Sequence, residues 1–298
     1  QVVIENPVIN SPFNEPTRHF RFGDEGITDE IVDGRRTSSY FVPIARPRKK
    51  GGQLAFDTEW IQERIQENEL INDIRRRVAL WRQAGYPGVT PTTARLLTYW
   101  TNPDREKKLF FCQIEALETL IYLAEVARRS GDAWIENALR EANDQSNPGL
   151  PRIAMKMATG SGKTVVMAML IAWHTLNKAA YPQDARFGNS FLVVTPGITI
   201  RDRLRVLLPN DPQNYYRQRD VLPAQEMELL GQAKIIITNF HAVALHENIA
   251  AGKLTKSILA EGATSPFTET PDQMVRRVCR ELGTKKNVIV INDEAHHC

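Results

Sequence analysis

The sequence has few cysteines, no long apolar run and no strong excess of charge of either sign. Its three cysteines, Cys112, Cys279 and Cys298, are too few and too scattered for a disulfide framework, which is typical of a reducing compartment. No apolar stretch approaches the ~20 residues that a membrane helix needs, and no secretory signal opens the chain. The net charge of +3 permits a nucleic-acid partner without arguing for one. These absences favour a soluble cytoplasmic protein with no membrane partner.

The second half of the chain alternates short β-branched runs with helical patterns. The predicted strands are 152–156, 191–195, 234–238 and 287–291. Helices are predicted from Lys163 to about Lys178, through Ile200, Leu204 and Leu207, and from about Asp272 to Leu282. Buried strands separated by helices indicate an α/β fold, a parallel sheet with helices on both faces.

The first part of the chain has a different pattern. Residues 1 to about 55 contain several X-Pro breaks, which predict extended segments and turns. A helical period begins at Asp57 and ends at Gly85, and Thr90-Pro91 predicts the start of a second helix. The sequence therefore predicts a mostly helical N-terminal region, residues 1–108, of unknown function, followed by a domain of residues 109–298.

The stretch 157–164, Met-Ala-Thr-Gly-Ser-Gly-Lys-Thr, follows a predicted strand and opens a predicted helix. We call it the phosphate loop. In this context the backbone N–H groups of Thr159, Gly160, Ser161 and Gly162 can form a concave anion site at the helix N-terminus. Lys163 can reach the β and γ phosphates of a nucleotide, and the Thr164 hydroxyl is placed to bind Mg²⁺. The usual pattern has glycine where Met157 stands, so a chance strand–turn–helix is the alternative.

Two adjacent carboxylates, Asp293 and Glu294, directly follow the last predicted strand. Ligands of parallel sheets bind at the carboxyl ends of the strands, so we expect these acids at the same sheet edge as the phosphate loop. Asp293 can hold Mg²⁺ opposite Thr164, and Glu294 can deprotonate the water that attacks the γ phosphate. The alternative is a polar loop after a buried strand, and the upstream phosphate loop argues against it.

The two ends of the chain suggest a piece of a longer protein. The sequence starts at Gln1 and stops at Cys298, immediately after a strong apolar strand, so we expect it to be C-terminally incomplete. The terminal His296, His297 and Cys298 have too few further ligands at suitable spacing to predict a zinc site. His296 is better interpreted as a relay that couples the nucleotide site to whatever binds above the sheet.

Together these motifs resemble superfamily 2 helicases and translocases of the DEAH type. The phosphate loop is similar to motif I, residues 193–196 to motif Ia, residues 235–241 to motif Ib, and residues 293–296 to motif II. Residues 111–116 resemble the upstream glutamine motif. The residues in and around these motifs most resemble those of the Res (motor-nuclease) subunit of type III restriction enzymes, over about residues 109–298.

This resemblance implies a RecA-like P-loop NTPase domain, truncated after motif II, that hydrolyses ATP with Mg²⁺ to drive movement on double-stranded DNA. It implies that Gln113 contacts adenine and that Thr195 and Thr238 touch the DNA backbone, for which strand-end capping is the alternative. It also implies a modification methyltransferase partner, and a second RecA-like domain and an endonuclease domain further along the polypeptide. Without the arginine finger of a second domain, which is worth roughly 10³–10⁵ in rate, we expect weak nucleotide binding and little hydrolysis.

Three other functions stay open at this point. A DNA repair or remodelling helicase would share the same chemistry and differ in the downstream sequence. An RNA helicase would differ in the nucleic acid that stimulates it. A non-hydrolysing ATP-binding regulatory module is a different class, and the presence of Glu294 argues against it.

Overall fold

A computed structural model describes residues 4–23, 26–41, 65–146, 148–244, 269–283 and 287–294. The chain divides into two units. One contains residues 1–89 and 101–161, and the other contains residues 90–100 and 162–298. None of the helices in the described ranges is long and apolar enough to cross a membrane.

In its described residues, the first unit combines two antiparallel strand pairs with three helices. Its strands are β1 (Arg18–Gly23), β2 (Gly26–Asp33), β3 (Ser39–Phe41) and β4 (Ile65–Glu67). β1 pairs with β2, and β3 pairs with β4. Its helices are α1 (Glu69–Gln83), α3 (Phe111–Ile121), which continues as a π-helical turn (Tyr122–Val126), and α4 (Ala133–Ser146).

Helix α1 carries the apolar period that the sequence predicts. It buries Ile74, Val78 and Trp81 on one face, and a buried side chain of this size contributes roughly 1.5–3 kcal/mol. The Trp81 ring packs at 4.9 Å from Tyr86 and 5.5 Å from Tyr122. Its indole N–H donates to the carbonyl of Pro87 at 2.9 Å. The residues that directly follow α1 pack against this aromatic cluster.

The predicted helix over residues 57–85 is wrong at its start. Residues 57–64 lie outside the described ranges, and Ile65 lies in β4, opposite Phe41, rather than in a helix. The helix begins only at Glu69 because the backbone N–H of Asn68 bonds to the carbonyl of Ser38 at 2.8 Å. The Asn72 side chain also bonds to both backbone groups of Ser38, at 2.8 and 3.1 Å. Contacts distant in sequence therefore decide where the helix starts.

The strand predicted at 152–156 is also not formed: in the described structure these residues have no strand partner. The side chain of Asn143 instead bonds to the N–H of Arg152 at 2.9 Å and to its carbonyl at 3.0 Å. Ile153, the most apolar residue of the run, is 53% exposed. The run is short and carries two basic residues, so its periodicity alone could not specify a sheet partner.

The second unit contains a parallel sheet flanked by helices. Its strands are β5 (Ser190–Thr195), β6 (Lys234–Asn239) and β7 (Ile289–Asn292), in the order β6-β5-β7. Its helices are α2 (Pro91–Thr101), most of which belongs to this unit, α5 (Lys163–Ala180), α6 (Ile198–Arg203), α7 (Tyr215–Gln218), α8 (Met227–Leu230) and α9 (Pro271–Val278). Short 3₁₀ turns lie at Leu204–Leu207, Ala224–Glu226, Phe240–Val243 and Arg280–Leu282. The three strands confirm the α/β fold predicted from sequence.

Helix α2 packs through a polar cluster inside this unit. Thr90 caps the helix by accepting the N–H of Thr93 at 3.1 Å, which confirms the predicted start. The Thr93 hydroxyl in turn accepts the indole N–H of Trp173 and the amide N–H of Asn177, both at 3.0 Å. Since buried polar groups are costly when unpaired, this cluster fixes α2 on α5.

The division between functional domains at residue 108 stays a prediction.

A partly buried histidine packs against the core of the second unit. The His174 ring packs edge-on against Phe187 and Phe191. Its Nδ1 is enclosed and has no hydrogen-bond partner among the described residues. Burial therefore lowers the pKa of His174 to about 4, from an ordinary value of about 6.5. The folded state prefers the neutral ring.

We expect the free energy of unfolding to fall as the pH decreases from about 6.5 to about 4. The unfolded chain binds a proton at His174 in this window and the folded chain does not, which costs up to about 3 kcal/mol. His174→Phe should remove this part of the slope in urea unfolding. His241→Asn, at an exposed histidine of the same unit, should retain it. Equal slopes in the wild type and His174→Phe would contradict the assignment.

Candidate functional site

The phosphate loop has the backbone conformation that its glycines permit. Gly160 and Gly162 both have φ of +81°, in the left-handed region. A Cβ at Gly160 would meet nothing within 4 Å, so the conformation rather than the available space favours glycine. The N–H of Ser161 bonds to the carbonyl of Ala158 at 3.3 Å, and its hydroxyl donates to the same oxygen at 2.6 Å. The loop is therefore a tight turn that leads into α5.

Helix α5 begins at Lys163, directly after the left-handed Gly162. The N–H groups in the first turn of a helix have no carbonyl one turn back to bond to. Those of Lys163 and Thr164 are thus available to an anion, and the helix dipole favours negative charge there. The local sequence produces this arrangement, because glycine supplies the turn and the apolar run after Thr164 supplies the helix.

Lys163 and Glu294 come together within the second unit, although they are 131 residues apart. The Lys163 Nζ donates to the Glu294 Oε1 at 2.7 Å, and their side chains are 32% and 28% exposed. This hydrogen bond raises the pKa of Lys163 above its ordinary value. The structure therefore joins the two motifs that the sequence placed at one edge of the sheet.

The acids lie at the carboxyl end of β7. Asn292 pairs with Val194 in the last register position, and the Asp293 N–H extends the ladder by donating to the carbonyl of Val194 at 2.9 Å. Asp293 is buried, at 9% exposure. Burial raises the pKa of Asp293, and the neighbouring charge of Glu294 adds to this.

Glu294 has a backbone φ of +56°, which is uncommon outside glycine. Such conformations persist where the surrounding structure fixes them, and they concentrate at functional sites. Here the Glu294 carboxylate turns back to the amine of Lys163.

The donor set fits a magnesium-bound triphosphate. An ammonium group and free helix N–H groups suit phosphate oxygens, and the amine of Lys163 already binds an anionic oxygen. Mg²⁺ in phosphoryl-transfer sites needs only one or two protein oxygens, since phosphates and waters complete its shell. Thr164 and Asp293 can supply those oxygens. No cluster of three His, Cys, Asp or Glu side chains that could hold a metal occurs among the described residues.

Gln113 lies beside the phosphate loop, in the first unit. Its Nε2 donates to the carbonyl of Ser161 and its Oε1 accepts the N–H of Phe110, both at 2.9 Å. The residue is only 5% exposed. Its contact with adenine stays a prediction, and both ends of the amide are engaged within the protein.

The two predicted DNA contacts are buried threonines at strand ends. Thr195 is 1% exposed and its hydroxyl donates to the carbonyl of Gly197 at 3.0 Å. Thr238 is 9% exposed. The hydrogen bond of Thr195 is that of strand-end capping, and contact of both threonines with DNA stays a prediction. His296, the predicted relay, lies outside the described residues.

Sequence reasoning missed the charged side chains that surround the helix carrying Gln113. Arg35 and Arg82 bind Glu115 and Glu118 on α3, at sequence separations of 80 and 36 residues. The only signal in the sequence was the pair of acids on a mostly apolar helix, and it did not name their partners.

A parallel sheet flanked by helices, with a glycine-rich loop before one helix and an acidic pair after one strand, defines a RecA-like P-loop domain. Residues 106–298 match the family described as "Type III restriction enzyme, res subunit". The chain belongs to this family, which is that of the helicase-like ATPase motor of type III restriction enzymes. Comparisons with curated proteins and with solved structures gave no match.

We expect Glu294→Gln to increase the rate at which an amine-acylating reagent modifies Lys163 at pH 9. Only the neutral amine reacts, and Glu294 raises the pKa of Lys163 and so lowers the neutral fraction. Peptide mass spectrometry measures the rate. Lys178, whose amine donates to the carbonyl of Asp184 at 3.1 Å, serves as the internal control. Unchanged labelling of Lys163 would show that the ion pair does not persist in solution.

Proposed function

We propose that this chain is the ATP-hydrolysing motor portion of a type III-like restriction endonuclease, which moves along duplex DNA. The observation that carries the proposal is the 2.7 Å contact between Lys163 Nζ and Glu294 Oε1. It joins a phosphate-binding lysine and a water-activating carboxylate that lie 131 residues apart within the family match. The family membership supports a motor rather than another nucleotide-binding protein.

In the proposed reaction each residue acts on a different part of bound ATP. The N–H groups of residues 159–162 and the ammonium of Lys163 bind the phosphates. Thr164 and Asp293 would hold Mg²⁺, which would neutralise the charge that develops on the transferred phosphoryl group. Glu294 orients a water and accepts its proton.

When no nucleotide is bound, the Glu294 carboxylate pairs with the amine of Lys163. A phosphate that takes over Lys163 would leave the Glu294 carboxylate to bind water instead. A buried carboxylate at Asp293 suits a cation, because burial and the neighbouring charge of Glu294 raise its pKa more than the positive charge of Lys163 lowers it. Metal binding would supply that charge.

The proposed partners follow from the family. They are double-stranded DNA, a modification methyltransferase subunit, and second RecA-like and nuclease domains elsewhere in the polypeptide. Phosphate contacts of Thr195 and Thr238 with DNA, and coupling through His296, are part of the same proposal. A non-hydrolysing ATP-binding module is less well supported, because pure binding would not require a carboxylate beside Lys163.

We expect Lys163→Ala and Glu294→Gln to separate binding from hydrolysis in the complete protein. Lys163→Ala removes the cation on the phosphates, so nucleotide affinity and ATP-dependent activity should both be lost. Glu294→Gln removes the base but no phosphate contact, so hydrolysis should fall by about 10²–10⁴-fold while ATP binding persists. Phosphate release and calorimetry measure the two effects. Full activity of Lys163→Ala would remove this residue from the mechanism.

We expect duplex DNA to stimulate ATP hydrolysis by the complete protein more than single-stranded RNA does. The measurement compares phosphate release with each nucleic acid at matched nucleotide concentration and salt, since phosphate contacts weaken with ionic strength. Preferential stimulation by RNA would replace the proposed motor with an RNA helicase. A repair helicase would instead be indicated by a complete protein that lacks ATP-dependent cleavage.

A further inference from the structure

We infer that the N-terminal region positions the phosphate loop, through Arg35, Arg82 and the Gln113 helix. This inference rests on the proposed function, since it concerns the same nucleotide site. It gives residues before 106 a role in nucleotide binding that neither motif nor family match assigns to them. All of its contacts lie within the first unit.

Arg35 binds helix α3 with both arms of its guanidinium group. Its two terminal nitrogens donate to Glu115 Oε1 and Oε2, each at 2.5 Å. One of them also lies 3.3 Å from Glu15. Arg35 is 25% exposed and Glu115 14% exposed at the side chain. A paired, bidentate and half-buried contact of this kind fixes geometry in a way that exposed ion pairs do not.

Arg82 provides a second contact on the same helix. Its Nε and one terminal nitrogen donate to Glu118, at 2.9 and 2.6 Å. The Glu118 side chain is 0% exposed, and the hydroxyl of Tyr86 donates to it at 2.6 Å. Glu15 lies 3.2 Å from Arg82, so one exposed acid bridges both arginines. A fully buried carboxylate needs such partners to stay charged.

The two arginines also hold the first residue of the helix. Their guanidinium carbons lie 5.5 Å (Arg35) and 5.0 Å (Arg82) from the centre of the Phe111 ring, within the range of a cation–π contact. The N–H of Phe111 donates to the carbonyl of Pro12 at 2.8 Å. We call this set of contacts from Pro12, Glu15, Arg35 and Arg82 the arginine bracket. It fixes the N-terminal turn of α3.

Gln113 links this turn to the phosphate loop. Its Oε1 is held by the N–H of Phe110, which leaves its Nε2 aimed at the carbonyl of Ser161. A carbonyl held in this way restricts the orientation of its own peptide plane, whose N–H belongs to Gly162 and is one of the groups proposed to bind phosphate. Because both polar ends of the amide are used in this way, Gln113 is a positioning residue that supports the loop. Adenine recognition by the same side chain would have to use its second N–H and the second lone pair of Oε1.

A double-mutant cycle in the complete protein tests this inference. Arg35→Met and Gln113→Ala should each weaken binding of Mg-ATP and Mg-GTP about tenfold, with an unchanged ratio between the two nucleotides, in calorimetric titrations. The double variant should bind no more than about twofold more weakly than Gln113→Ala, since the bracket acts through Gln113. Arg21→Met is the matched control, because among the described residues Arg21 pairs with exposed Glu30 at 3.0 Å and makes none of the contacts of the arginine bracket. This variant should bind nucleotide as the wild type does.

Losses that multiply in the double variant would show that the bracket does not act through Gln113. A loss of ATP affinity alone in Gln113→Ala would show that its side chain recognises adenine. If thermal unfolding shows that Arg35→Met does not fold, Glu115→Gln, which retains the side-chain volume, takes its place with the same expected outcomes. Lys163→Ala separates the two proposals: unchanged nucleotide binding there overturns the nucleotide site itself, whereas additive losses overturn only the bracket.

Discussion

The parallel pairing of β5 with two strands distant from it in sequence is the constraint on which the proposed site depends. β5 meets β6 on one side and β7, about a hundred residues later, on the other. The acids follow β7 directly, and the Asp293 N–H adds one further bond to Val194. A slip of one residue in this register would turn each side chain to the opposite face of the sheet. The placement of two carboxylates therefore depends on apolar packing within the strands.

The ion pair at the sheet edge matters more for geometry than for stability. Partly exposed pairs contribute about 0–1 kcal/mol, and a non-glycine residue in the left-handed region costs of order 1–3 kcal/mol. Glu294 has a φ of +56°, so its ion pair stabilises the fold by no more than its backbone conformation costs. The sheet and its loops have to maintain this conformation. The ion pairs around α3 are different, because Glu118 is completely buried there and removal of its partners would strongly destabilise the fold.

Much of the second unit could be predicted from sequence, because its signals are local and strong. Three β-branched runs became the three strands, and the glycine-rich loop led into α5 as expected. The failures occurred where a distant residue decided the outcome: Ser38 delayed the start of α1, and Asn143 bound the backbone of Arg152 in place of a strand. The partners of Glu115 and Glu118 were beyond reach for the same reason. The boundary between the functional domains and the roles of Thr195, Thr238 and Gln113 stay predictions.

The family match begins at residue 106, but the fold of the second unit begins earlier. Helix α2 supplies Trp100, which is 1% exposed and donates to the carbonyl of Val221 at 2.9 Å. A shortened gene that started at the homologous segment would omit this helix. The indole of Trp173 would then meet solvent, and the amide of Asn177 would lose its hydroxyl partner. An expression clone for this ATPase should therefore retain the residues upstream of the recognisable sequence, or its product will expose an apolar surface that favours aggregation.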